Sequence, residues 1–485
     1  MPSTLHDAWL HGIAVNPGAP ADVLLRLLAA PEAGDARMTL CGRRQLSPEV
    51  WEAARRHPDF RVRRHLGRNR HLPAAQRALL ADDPSSLVRA WMATGPDRLG
   101  RRLEPLPEEV VVRLMTARTG PDDLLTADEI AGQLSSQIPL SYYQKLPTHP
   151  DPALRIRATG HWQSLTDRQR EALRTDPDPA IRASARDADR QYDPAATEAD
   201  LPEHDCHHRV HLLLHNALPK SVTDRCLAER RDLTLLASNR HTPAEVVALL
   251  ARDPDRAVRL RIAERADVGA ELLTLLATDP DEEVRARAAV QPLFQARPTD
   301  GPRWLEEDRT SPELTAWYRA CAASPHPLAR QAAAGAARLP PDLVPLLAAD
   351  PDPTVRHRIA EHQESAPAET VLAAFVERPD LRAYLLLTGR VPRTGLAALL
   401  THHDPGVRAL AAADPTLPEP PTALLTDPAP EVREAAATSP LLPPELLESL
   451  LQDPGLARSA AANPALPAAR LHGLLDTAGL TPARS

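Results

Sequence analysis

The chain has 485 residues, a formal net charge of −8 and aromatic side chains at only 3%. A single compact core rarely grows past about 250–300 residues, the acidic total gives no general attraction to nucleic acid or anionic membrane, and the sequence lacks any apolar run of the roughly 18 residues needed to span a bilayer. The four scattered cysteines, Cys41, Cys206, Cys226 and Cys321, show no C-x-x-C spacing, and no basic-then-apolar leader opens the sequence, so a cytoplasmic protein with reduced thiols and no membrane contact is expected.

From the N-terminus, residues 1–118 read as basic repeats. They open on the turn Asn16-Pro17-Gly18-Ala19-Pro20, and the apolar residues Ala36, Val62 and Val88 recur at steps of 26 and 26. Residues 37–118 hold 17 Arg, no Lys and 9 acids, a formal +8 inside an acidic whole. Residues 119–186 read as an irregular insertion followed by middle repeats carrying Leu154 and Ile181, and 187–205 as an acidic, Pro-containing linker. A His-rich segment and further repeats fill 206–290, an inserted loop 291–311, and regular repeats with a cap 312–485. In the last part Ala329, Val355, Leu381, Val407, Val432 and Ala457 step by 26, 26, 26, 25 and 25.

The segment Thr242–Glu264 shows how one repeat should fold. Thr242-Pro243-Ala244-Glu245 has the composition of a capping-box start, with proline at the first helical position. Val246, Leu249 and Leu250 give the i, i+3, i+4 stripe of a short helix, which Asp253-Pro254 ends. Asp255 then caps a second helix whose Val258 and Ile262 face the core. Helices this short are marginal alone in water, so stacking must stabilise them. The expectation is an all-α, right-handed α-solenoid of about 15 two-helix repeats of about 26 residues, with the end repeats as caps.

The phrase D-P-D-x-x-V-R-x-x-A-A-x-N-P-x-x-P-x-x-x-L-x-x-L, strongest from Asn239 to Leu475, resembles the variant leucine-rich repeat and, in spirit, HEAT-like α-solenoids. That resemblance implies a 3-10-like second element in each repeat. Some members carry an N-terminal cysteine cluster for an iron–sulfur centre; the N-terminal third here has Cys41 alone, and no cofactor is carried over.

Three constellations offer chemistry. The arginines that follow the buried apolar position (Arg63, Arg89, Arg155, Arg182, Arg259, Arg285, Arg330, Arg356, Arg382, Arg408, Arg433 and Arg458) could bind phosphates. Acids four and six residues earlier, such as Asp255 and Asp253 before Arg259, point instead to internal bracing. Two positions on lies a column of His65, Trp91, Arg157, Ser184, Arg261, Arg287, Ala332, Arg358 and Tyr384, mixing arginine and aromatic residues as an acidic peptide or a nucleic-acid backbone would require. An ordinary solvated helix flank has the same composition. In a helix, His207, His211 and His215 would share one face at i, i+4, i+8, a weak zinc candidate without the glutamate of H-E-x-x-H. No hydrolase, NTPase, dehydrogenase or deaminase template is present. Two functions follow: a non-enzymatic scaffold for a protein or peptide, and a nucleic-acid-binding solenoid, with an enzymatic form resembling HEAT-like-repeat DNA glycosylases. The second would use Arg37–Arg118, with Arg55 and Arg63 among its contacts.

Overall fold

The computed structural model describes residues 5–42, 45–69, 71–96, 104–138, 140–298, 311–336 and 338–480, and its described residues form helices and turns without a strand. They fall into two compact units, Met1–Pro139 with Val371–Ser485, and Leu140–Thr370, so the chain crosses between units twice.

In the second unit the repeat takes the expected two-helix form. The helix Ala244–Leu250 buries Val246, Val247 and Leu250; Leu249, expected in the buried stripe, is instead exposed, and Val247 takes its place against the core. The helix Arg256–Ala263 begins at Asp255, whose carboxylate accepts the Ala257 N–H at 2.8 Å, and buries Val258, Ile262 and Ala263. These side chains join one apolar cluster running from Leu213 to Ala288 across successive repeats. Thr242 does not cap the first helix. Pro243 holds the N-cap position, and the Thr242 hydroxyl points back to donate to Leu236 O at 2.7 Å, so the expected capping box is absent there. Capping boxes form instead at Thr126/Glu129 and Thr166/Gln169. The 3-10 geometry also falls elsewhere. It occupies the first element of two C-terminal repeats, at Ala397–Leu399 and Thr422–Thr426, while the second elements are α-helical.

Residues read as the acidic linker 187–205 are largely helical. The helix Pro179–Asp189 runs into a 3-10 turn and the helix Pro194–Asp200, with Asp193 accepting the Ala195 N–H at 3.0 Å; those acids include helix caps. Within the inserted loop 291–311, residues 291–295 end the helix Glu282–Gln295, and 299–310 lie outside the described residues.

Repeats are joined through buried amides. Asn239 donates to Leu213 O at 2.9 Å and Asn216 O at 2.8 Å, while its own side-chain oxygen accepts the His241 N–H. Asn463 repeats the pattern on Ala437 O and Ser439 O. Arg265, one period beyond Asn239, fills the same role toward Ala237 O and Asn239 O. Backbone carbonyls at the end of one repeat thus find donors in the next, as buried polar groups must.

This pattern also shows where the first residues go. Asn16, fully buried, donates to Ala461 O at 3.0 Å and Asn463 O at 2.8 Å, the bonds that a following repeat would make. Trp9 Nε1 donates to Leu451 O at 2.7 Å, and Arg26 pairs with Asp476. Gly12 is required here, because a Cβ would overlap the Arg458 carbonyl oxygen. The expectation of capping end repeats is therefore corrected: in the first unit the N-terminal helices stack on the C-terminal repeats.

Candidate functional site

Every described arginine of the first column except Arg458 donates to a backbone carbonyl of its own repeat or to a neighbouring acid. Arg259 Nη1 donates to Asp253 O at 2.8 Å and Pro254 O at 3.0 Å, while Nε and Nη2 make a bidentate pair with Asp279 at 2.7 and 3.0 Å. Arg63 does the same with His57 O, Pro58 O and Asp83, and Arg155, Arg330 and Arg408 with Asp176, Asp350 and Asp427. The bracing expected from sequence is present with a different acid. The own-repeat aspartate six residues earlier supplies its carbonyl, and the carboxylate comes from the next repeat about 20 residues on. Asp279 is held below the usual carboxylate range first by its bond from Arg259.

The second column stays on the helix flanks. Arg261 pairs with Glu264 at 2.8 Å, and Arg287 approaches the same carboxylate at 3.6 Å. Ser184 shares a 2.7 Å hydrogen bond with Thr159. Arg157 and Tyr384 are half-buried, and Arg358 is exposed with its guanidinium 3.1 Å from where a Cβ on Gly335 would stand. Nearby, an open cavity of about 690 Å³ is lined by Arg256, Asp281, Glu283, Arg287, His326 and Leu328. Arg256 already pairs with Asp281 and Glu283, so its charge is met within the chain.

His65 and Trp91 are brought together. The helices Phe60–Gly67 and Ser86–Thr94 set their rings edge to face with centroids 5.2 Å apart. Two arginines missed by the sequence reading join them. Arg64 lies 4.5 Å and Arg68 5.2 Å from the Trp91 ring, and Arg64 is also 6.0 Å from the Phe60 ring. The His65 imidazole is pushed below its ordinary value by burial first, then by Arg64 and Arg68. The spacing that could have revealed them is i, i+4 on one helix, with one member adjacent to the column.

Arg55, expected at a polyanion surface, forms a bidentate bond with Glu52 at 2.6 and 2.9 Å and lies 5.5 Å from the Trp51 ring. Much of the +8 segment is met in this way: Arg37 and Arg61 face Asp59, Arg56 faces Glu52, Arg89 faces Asp123 and Arg113 faces Asp82. Arg43, Arg44, Arg70, Arg98, Arg101 and Arg102 lie outside the described residues. The helix His207–His215 forms, with the His211 and His215 rings 4.9 Å apart. Among the described residues no group of three or more His, Cys, Asp or Glu is arranged to hold a metal ion.

One further periodic feature escaped the sequence reading. Leu79, Leu249, Leu275 and Leu346 each stand four residues before a ladder aspartate (Asp83, Asp253, Asp279 and Asp350), and they are 55%, 61%, 36% and 58% exposed. The 26-residue offset between Leu249 and Leu275 was readable; their exposure was not.

No family model and no curated protein matches this chain. Among solved structures, a crystal structure of an engineered protein from the Northeast Structural Genomics Consortium is 13% identical, covering 93% of this chain and 98% of its own, with a TM-score of 0.13. A superposition that loose carries no argument. Among the described residues no helix is long and apolar enough to cross a membrane.

Proposed function

We propose that this protein is a non-enzymatic cytoplasmic scaffold, a right-handed α-solenoid of the variant leucine-rich-repeat kind, that holds a protein or peptide partner along its repeats. One observation carries the reading: seven of the twelve periodic arginines meet an acid of the chain and four more donate to its backbone carbonyls, while leucines at one fixed repeat position stand in solvent. In the second unit these are Leu249, Leu275 and Leu346, with the exposed Ala320 at the same position in the repeat between the last two. A surface whose regular feature is apolar suits another protein's apolar side chains, whereas a phosphate backbone requires cations that remain unpaired.

The test is affinity capture from a nuclease-treated native lysate with the wild type and with a Leu249→Glu, Leu275→Glu, Leu346→Glu triple variant. Proteins that survive nuclease treatment and are lost from a folded triple variant support the scaffold. Capture that disappears with nuclease, or that the triple variant leaves untouched, overturns it; the first result would move attention to nucleic acid and Arg37–Arg118.

A further inference from the structure

We propose that Arg64, Arg68, His65 and Trp91 form a receptor for an anionic side chain on an acidic partner peptide, an inference that rests on the scaffold reading and deepens it. Arg64 lies in the helix Phe60–Gly67 and Arg68 caps its C-terminal end, one turn further on. Both guanidinium groups lie near the same indole, at 4.5 and 5.2 Å. Nearby arginines meet acids of the chain: Arg63 meets Asp83, Arg55 and Arg56 meet Glu52, and Arg89 meets Asp123. No acid among the described residues pairs with the Arg64 guanidinium, and its buried Nε has no hydrogen-bond partner.

The geometry is held by close packing. A Cβ on Gly67 would stand 2.8 Å from Met92 N, so the two helices touch backbone to backbone and fix Trp91 against Arg64. A guanidinium stacked on an indole keeps its planar edge of donors available to a carboxylate or phosphate, in the bidentate geometry that lysine cannot offer. The site suits a single anionic group. A nucleic-acid backbone repeats its charge every few ångströms and would run onto Asp35, which acts on His65, and onto Asp59 and Asp83, which serve as partners of other arginines. The anion is the carboxylate of Glu or Asp, or the phosphate of a modified Ser.

The experiment measures fluorescence anisotropy of the full chain near physiological salt. Its probes are a labelled Glu-Ser repeat peptide, the Gln-Ser control, a phosphoserine version and an oligothymidylate of equal charge. The wild type should bind the Glu-Ser or the phosphoserine peptide, and whichever binds more tightly identifies the anion. Arg64→Gln should weaken binding about tenfold or more, as loss of a charge-assisted bond does, and Arg55→Gln, whose parent is paired with Glu52, should not. Should the glutamine variants misfold, peptide titration of the wild type decides by NMR, since a bound anion must raise the His65 pKa. Equal binding by the folded Arg64→Gln/Arg68→Gln double variant, an unmoved His65, no peptide binding by the wild type, or tighter binding of oligothymidylate would each overturn the proposal. If the leucine-dependent partners persist in the capture experiment while these peptides fail, this inference falls alone; if both fail, the scaffold reading falls with it.

Discussion

Replacing Asn16 with alanine tests whether the N-terminal helices complete the C-terminal stack. Asn16 is fully buried; its amide donates to Ala461 O at 3.0 Å and Asn463 O at 2.8 Å, and its oxygen accepts the Gly18 N–H at 2.7 Å. In Asn16→Ala, Asn463 O still accepts from Leu466 N, so the main losses fall on Ala461 O and the Gly18 N–H. A buried group left without its partner costs about 1–3 kcal/mol, and the half-buried Gly18 N–H recovers part of its share from water, so the variant should lose about 2–4 kcal/mol of local stability. An exposed pair such as Arg470–Glu448, removed by Arg470→Gln as a control, should cost about 0–1 kcal/mol. Two compact units make a single global unfolding energy unsafe, so the assay is hydrogen exchange read by mass spectrometry. Asn16→Ala should speed exchange in residues 5–29 and also in 446–480, around its acceptor Ala461, which is 445 positions away in sequence. Unchanged exchange in 446–480 would refute the stacking of the two ends.

Three further outcomes follow from the same contacts. Asp279, Asp176 and Asp427 each have a depressed carboxyl pKa caused first by an arginine hydrogen bond. Their stabilisation is present above the unfolded value of about 3.9 and is lost as pH falls through the folded value; Asp279→Asn should flatten the acid limb of a stability–pH curve, and an identical limb would contradict the ladder. His57 occupies a ladder-aspartate position, its Nδ1 accepts the Asp59 N–H at 3.0 Å, and burial first and Arg37 second lower its pKa. Stability should therefore decline as pH drops below about 6.5, whereas His57→Asp, placing an acid 20 residues after Arg37, should raise the melting temperature at about pH 5.5; a lower one would argue against the assignment. Burial pushes the Cys41 and Cys321 thiols up to about 12, so a native thiol reagent should modify the half-buried Cys206 first, with peptide mapping as the check.

What was legible in the sequence was local. The D-P-D phrase places an N-cap carboxylate two residues before the N–H it accepts, so Asp255 could be assigned without knowing the fold. Val258 and Ile262 followed from helical spacing. The amide ladder could not be read in the same way, because Asn239 and Asn463 find their acceptors 23 to 26 residues away. Thr242 misled because a hydroxyl before proline has the composition of a cap, yet Pro243 takes the N-cap position and the hydroxyl turns to the preceding helix. The clue to the joined ends was present: Asn16-Pro17-Gly18-Ala19-Pro20 and Asn463-Pro464-Ala465-Leu466-Pro467 are one motif, and the first finds its carbonyls at Ala461 and at Asn463 of the second.

The same contrast bears on how function can be sought in such a chain. A residue type repeated at every period is selected by what every period needs, which here is the arginine joining its own turn to the carboxylate of the next repeat. Most of that column is held within the chain, and Arg63, a candidate for polyanion binding by its sequence position, belongs to it, so Arg63→Glu would break the brace to Asp83 before it probed any ligand. Information about partners lies where the period is broken or left open. Arg64 and Arg68 break it by adding cations for which the ladder supplies no acid at Arg64, and Leu249 and Leu346 leave it open by exposing side chains whose burial the repeat does not need. Variants at Leu249 and Leu346 separate recognition from folding, because these side chains stand largely in solvent rather than between repeats.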